Sequence, residues 1–309
     1  MRIQKKLFIC IVFTLIVSAI LFVKSEFGYD YYGYLKYKSL GLAFERWPNE
    51  PFSALIIGLS GEIFNNMRFL YSFSVFCFGF SIIIFLKKLN QLDIEKFIFL
   101  FINPGAIPVY GAPRFLLGVS FFIIAISYKR KINSFIINVI SILSHNLTFP
   151  ILYLSRFFFD NKSRILKIFI ILIISLSAYF IYKFLELIPF LSYYFNKISD
   201  NRGTLRSIYY LFSVFSVIPF IRSKYFLKRF FSQTLILSFI IMITFINPLL
   251  NRITFLNYLI LQLDLIENHK PLLSRSYYTF FSILNIFIFS SILFLGLYGF
   301  APNELQNFK

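Results

Sequence analysis

The stretch LFICIVFTLIVSAILFV, from Leu7 to Val23, contains no charged residue. A helix of this length crosses most of the ~30 Å hydrocarbon core of a bilayer. Apolar runs of similar length recur along the chain, for example at Ile168–Leu187 and Tyr277–Tyr298. Because lipid offers no hydrogen-bond partner to free backbone groups, these runs are expected to be helices.

The composition of the whole chain agrees with many such helices. Of its 309 residues, 58% are hydrophobic and only 14% are charged, whereas soluble domains carry about 25% charged residues. The runs Ile82–Leu86 and Ile168–Ile174 do not alternate between apolar and polar residues, as the strands of a membrane barrel would. The sequence therefore predicts an all-α, polytopic transmembrane bundle of about 9–11 helical segments. It is interpreted as a single integral membrane domain covering residues 1–309.

The net charge of +18 is explained by basic clusters that anchor the cytoplasmic ends of membrane helices, and no nucleic-acid partner is predicted. Placing these clusters inside makes residues 24–51 a loop on the outer side of the membrane. Several segments near that side are short or contain proline, and broken helices at membrane depth are tolerated only where they are buried or line a cavity. The basic clusters lie at Lys5–Lys6, Lys87–Lys88, Lys129–Lys131, Arg156–Lys167, Arg222–Arg229 and Lys270–Arg275.

Four arginines fall on the outer side, against the trend for positive charge on the inside. Arg114 and Arg252 lie at tight turns between apolar segments, with no acidic neighbour in sequence. A charge at membrane depth usually marks a substrate path or an ion pair, and the alternative is a side chain that reaches the lipid–water interface. Arg202 and Arg206, in a longer outer loop, are further candidates for binding an anionic substrate.

Other candidate residues are a histidine and a group of aromatic and acidic side chains. His145 lies in the apolar stretch Ile142–Leu147, where a polar residue is costly, so a functional role is predicted, although a hydrogen-bonded structural histidine is the alternative. In the outer loop, carboxylates beside aromatic rings suit the binding of sugars, while for the tyrosines as a group an aromatic belt at the lipid headgroups is the simpler explanation. The candidate sugar-binding residues are Asp30, Tyr34, Trp47 and Glu50.

These features, in this order, resemble the EpsG family of Wzy-like polysaccharide polymerases. The resemblance covers most of the chain but depends on short segments. They are Asp30-Tyr31-Tyr32-Gly33-Tyr34, Glu50-Pro51-Phe52, Gly111–Gly118 with Arg114 opening a helix, the basic turn Lys129–Lys131, Leu143-Ser144-His145, and Arg252 followed by Tyr258.

The resemblance implies a multi-pass enzyme of the bacterial inner membrane whose active site faces the periplasm. Such an enzyme joins oligosaccharide repeat units carried on undecaprenyl diphosphate into O-antigen, capsule or exopolysaccharide. In the predicted mechanism a sugar hydroxyl attacks the anomeric carbon of the donor and lipid diphosphate leaves. Arg114 and Arg252 take up the charge on the leaving group, His145 accepts the proton, and Tyr258 contributes to substrate binding.

No metal or cofactor is predicted. The expected partners are the lipid-linked oligosaccharide, the bilayer, and flippase and chain-length regulator proteins. Two other functions stay open from the sequence: a transporter or flippase of lipid-linked sugars, which also needs outward cations and broken helices, and a membrane acyltransferase that modifies surface sugars.

Overall fold

The computed structural model describes residues 2–24, 31–102, 113–128 and 131–145, with positions 259, 262–263, 266–267, 278–280 and 282–283. Every regular element in these ranges is a helix, which confirms the predicted all-α class for the described part of the chain. Five predicted site residues lie outside the described residues: Asp30, Arg202, Arg206, Arg252 and Tyr258.

Eight helices occur in the described ranges up to residue 145. They are α1 (Arg2–Lys24), α2 (Tyr31–Leu35), α3 (Leu40–Arg46), α4 (Pro51–Phe64), α5 (Arg68–Lys88), α6 (Ile94–Phe101), α7 (Pro113–Ser127) and α8 (Lys131–Ser144). Two of them, α5 and the part of α1 from residue 4 to 23, are long and apolar enough to cross a membrane. Helices α4, α7 and α8 are apolar but have only 14, 15 and 14 residues, or about 21–23 Å.

Helices α5 and α7 form the centre of the described bundle. α7 packs against α5 on one side and α8 on the other, while α1 packs against α5. The Ser141 hydroxyl of α8 donates a hydrogen bond to the Gly118 carbonyl of α7 at 2.7 Å. The fully buried apolar residues of α7 include Leu116, Leu117, Val119, Phe122 and Ile123.

The outer helices α1 and α8 are inverted relative to helices on the surface of a soluble protein, which turn their polar face outward. On α8 the large apolar side chains point away from the protein, and Ile132 is 74% exposed. The buried positions of the two helices carry Cys10, Thr14, Ser18, Ser134, Asn138 and Ser141. The exposed positions carry Phe8, Leu15, Ile16, Ile20, Val23, Phe135 and Ile136.

The segment 24–51, predicted to be a periplasmic loop, contains two short helices, α2 and α3, in its described part. Its location outside the membrane stays a prediction. Helix α3 begins after Ser39, whose hydroxyl accepts a hydrogen bond from the backbone of Leu42 at 3.4 Å. The backbone N–H of Leu40 donates to the Glu62 carboxylate of α4 at 2.8 Å. These two acceptors satisfy N–H groups that the first turn of a helix cannot pair internally.

Two glycines of α4 allow the α2–α3 segment to approach closely. A Cβ atom at Gly58 would lie 2.7 Å from the Cα of Leu40, and one at Gly61 would overlap the Lys38 carbonyl group. The ammonium of Lys38 also donates to Asn65, at the end of α4, at 3.1 Å. The segment is therefore fixed to α4 by backbone contact as well as by side chains.

We expect Gly61→Ala to destabilise the protein by about 1–3 kcal/mol, because the new methyl group meets backbone that cannot rotate away. Gly41→Ala is the matched control, since a Cβ there meets nothing within 4 Å and alanine favours a helix by up to about 1 kcal/mol over glycine. Thermal unfolding of the purified variants in detergent measures the stability change for each substitution. Equal melting temperatures for the two variants would contradict close α3–α4 packing.

The chain divides into two compact units, one formed by Met1–Pro150 with Leu265–Lys309 and the other by Ile151–Asp264. Most described residues belong to the first unit. Within it, the Tyr278 ring lies edge-on to Phe99 of α6, with 5.4 Å between ring centroids. The single membrane domain predicted for residues 1–309 stays a prediction.

The turn between α5 and α6 is held by Asp93. Its carboxylate accepts a hydrogen bond from the Ile94 backbone at 2.9 Å and so caps α6, which begins at Ile94. It also lies 3.4 Å from the Lys6 ammonium of α1. Partial burial alone would raise the pKa of Asp93, but a hydrogen bond with Glu95, the charge of Lys6 and the Ile94 N–H outweigh burial and lower that pKa.

We expect Asp93→Ala to lower stability by about 1 kcal/mol through loss of the helix cap, and Asp93→Asn to lower it less, since asparagine also caps. Because the pKa of Asp93 is lowered by folding, the charge-dependent stabilisation is full above the ordinary carboxyl pKa. It disappears as the pH falls through the lowered folded-state value. Melting temperatures across acidic pH should therefore fall more for wild type than for Asp93→Asn. If the melting temperatures of wild type and Asp93→Asn fall in parallel with pH, the Lys6–Asp93 pair contributes nothing to stability.

Candidate functional site

Two helices of the bundle begin with proline, and both starts contribute a charged residue to one site. Pro51 opens α4 directly after Glu50, and Pro113 opens α7 directly before Arg114. Proline suits the first helical position because its fixed φ matches the helix and its missing N–H would have no partner there. The Glu50 side chain does not cap its own helix, and so it is available to contact α7.

Glu50 and Arg114 form an ion pair across these two helix starts. Nη1 of Arg114 donates to Oε2 of Glu50 at 2.6 Å, with the side chains only 18% and 9% exposed. The residues are 64 positions apart in sequence. Removing one partner of a buried pair leaves an uncompensated charge, which typically destabilises a protein by about 3–5 kcal/mol.

Two aromatic residues of the α2–α3 segment hold the same guanidinium from other directions. The Tyr34 hydroxyl accepts a hydrogen bond from Nε of Arg114 at 3.3 Å. The Cζ atom of Arg114 lies 4.6 Å from the centre of the Trp47 ring and 5.6 Å from that of Tyr34. Tyr34 is only 4% exposed, so its contribution is to position Arg114 rather than to offer a face to a sugar.

His145 follows the last residue of α8 and lies near the same helix starts. It is 6% exposed, and its ring meets the Phe115 ring edge-on with 5.3 Å between centroids. The hydroxyl of Ser53, in the first turn of α4, donates to the Ser144 carbonyl at 2.6 Å. The starts of α4 and α7 and the end of α8 therefore converge.

The electrostatics of the site favour an anion. A helix N-terminus carries a partial charge of roughly +0.5, and two N-termini meet at the Glu50–Arg114 pair. Arg114 lies at the positive end of its own helix, where a cation adds to the dipole instead of offsetting it. The Glu50 carboxylate balances only part of the positive charge of Arg114 and the two helix N-termini. The site therefore keeps a positive electrostatic potential.

The structure brings together five of the residues predicted from the sequence: Arg114, Glu50, Tyr34, Trp47 and His145. Sequence reasoning missed two residues that connect them, Ser53 and Phe115. It also did not pair Glu50 with Arg114. The shared signal was that each charge adjoins a proline at the start of an apolar helix.

Comparison of the chain with protein-family models finds no match, and neither curated proteins nor solved structures match it. The resemblance to the EpsG family therefore stays a prediction drawn from short segments. Function has to be inferred from the chemistry of the site around Arg114.

Proposed function

We propose that this chain is a polymerase of the bacterial inner membrane that joins oligosaccharide units carried on undecaprenyl diphosphate into a surface polysaccharide. The observation that carries the proposal is the half-buried Arg114, held by Glu50, Tyr34 and Trp47 where two helices begin. A fixed guanidinium beside helix N-termini is a strong binding site for phosphate oxygens. Diphosphate is the anionic part of the proposed donor.

The exterior of the bundle supports a multi-pass membrane location. The exposed faces of α1 and α8 are apolar while their buried faces carry small and polar side chains. Water disfavours such an arrangement, and hydrocarbon accepts it. We infer that the short helices α4, α7 and α8 bring the site to membrane depth from the periplasmic side. Arg114 is at the start of α7, whereas Lys88, which we assign to the cytoplasmic side, contacts Tyr128 just after the end of α7.

In the proposed reaction, an acceptor hydroxyl attacks the anomeric carbon and the bond from that carbon to the diphosphate oxygen breaks. Arg114 stabilises the negative charge that appears on the departing lipid diphosphate. Because Tyr34 and Trp47 already fix the guanidinium, little reorganisation is needed as charge develops. His145 accepts the hydroxyl proton, since imidazole titrates near neutral pH. Arg252 is proposed as a second cation at the leaving group.

A gel of surface polysaccharide from a deletion strain tests the proposal. If the chain is a polymerase, the deletion leaves single repeat units on their carrier or on the core, and the complementing gene restores the ladder of long chains. A ladder that persists in the deletion rejects the polymerase. Loss of all surface sugar, single units included, favours a transporter, whereas a full ladder lacking acyl groups favours an acyltransferase.

A further inference from the structure

We propose that Glu50 is an exchangeable counter-ion, which the donor diphosphate displaces from Arg114 and which then binds the sugar attached to that diphosphate. This inference rests on the proposed function and adds a specificity-determining role for Glu50. It follows from the different ways in which the neighbours hold Arg114.

Arg114 is held by neutral groups as well as by a charged one. The Tyr34 hydroxyl at 3.3 Å and the Trp47 ring at 4.6 Å fix the position of the guanidinium without cancelling its charge. Glu50 contacts Nη1, at the outer end of the side chain. The guanidinium therefore stays in place when Glu50 moves away, and an incoming phosphate oxygen takes the position of the carboxylate.

A diphosphate competes well for this position because it carries more charge than a carboxylate and can hold the guanidinium with two oxygens. Both helix N-termini and Arg114 favour the greater negative charge. Glu50 is the residue that precedes α4, so rotation of its side chain alone can free Nη1 while the backbone stays in place.

The displaced carboxylate loses its charged partner Arg114, and additional hydrogen-bond donors stabilise a buried carboxylate in that state. The sugar of the donor is bonded directly to the diphosphate, so its hydroxyl groups arrive beside Arg114 together with the phosphates. Glu50 accepts hydrogen bonds from those hydroxyls. A diphosphate that carries no sugar provides no such donors, so Glu50 discriminates against it.

The single tryptophan of the chain makes the exchange measurable. Trp47 is the one tryptophan in the sequence, and its ring lies 4.6 Å from the Arg114 Cζ, so its fluorescence should respond when a ligand reaches the guanidinium. The full chain in lipid nanodiscs would be titrated with farnesyl diphosphate and with glucosyl farnesyl diphosphate. Farnesol is the control for partition of the lipid tail.

In the wild type we expect the glucosyl ligand to bind more tightly than farnesyl diphosphate. Glu50→Gln should tighten farnesyl diphosphate binding about tenfold, equivalent to ~1.4 kcal/mol, and change the affinity for the glucosyl ligand much less. Glu45→Gln removes the same charge from an exposed position on α3 and should change neither affinity. If Glu50→Gln does not fold, Glu50→Asp tests the same point, since its shorter side chain should give a smaller gain in the same direction.

Weaker binding of farnesyl diphosphate to Glu50→Gln would show that Glu50 only positions Arg114, and would overturn the exchange. An equal gain in affinity for both ligands in Glu50→Gln would overturn the proposed contact between Glu50 and the sugar. The proposed function fails in a different way: neither diphosphate then changes the Trp47 fluorescence of the wild type more than farnesol does, or Arg114→Gln binds both as tightly as wild type.

Discussion

Arg114→Ala is expected to remove the ladder of long polysaccharide chains and to leave single repeat units, as a deletion would. Loss of one positioned donor to a developing negative charge typically lowers the rate by about 10²–10³-fold, or roughly 3–4 kcal/mol. Arg114→Lys should fail almost as badly, because lysine is a point charge. It lacks the planar fork of N–H donors with which a guanidinium holds two phosphate oxygens at once. Polysaccharide gels and a rate assay with lipid-linked units measure both variants.

The effect on catalysis has to be separated from an effect on folding. Arg114→Ala removes the cation that compensates the buried Glu50 carboxylate, and breaking such an ion pair typically destabilises a protein by about 3–5 kcal/mol. The double variant with Glu50→Gln removes that stranded charge and should recover the protein level in the membrane without recovering the ladder. Arg46→Ala, at an exposed arginine on α3, should leave the ladder intact. A full ladder of long chains from Arg114→Lys would reject the proposed contact of the guanidinium with two phosphate oxygens.

His145→Ala is expected to produce the second large loss, about 10²–10⁴-fold, which is the usual contribution of a general base. His145→Gln should be as inactive while keeping a polar side chain in the buried position. His269→Ala is the matched control, because this second histidine adjoins the basic cluster Lys270–Arg275, which we predict to be cytoplasmic. Rates with purified lipid-linked units and protein levels in the membrane would be measured for all three variants.

Activity near the wild-type level in His145→Ala would transfer the role of base to a carboxylate. Glu50 and Asp30 are the candidates on the outer side. The ring contact of His145 with Phe115 would then have a structural role only. A stability loss without a rate loss is the pattern that identifies this outcome.

Much of the local structure could be predicted from the sequence because it depends on local chemistry. Apolar runs predict helices wherever backbone groups must pair internally. The run at residues 7–23 corresponds to α1, and the run Ile82–Leu86 lies in α5. Capping is also local, yet the role of Asp93 as the cap of α6 was missed. The α2–α3 segment was missed because its helices depend on partners such as Glu62 and Gly61 on α4.

The sequence by itself determined which residues are unusual for a chain that is predicted to span a membrane: Arg114, His145 and the acidic, aromatic segment at residues 24–51. A charge or imidazole among apolar residues has a free-energy cost that composition alone reveals. Only the tertiary structure decided which of them meet. The pairing of Glu50 with Arg114 spans 64 positions and requires the starts of α4 and α7 to lie together. That arrangement depends on the packing of whole helices, on which sequence spacing carries no information.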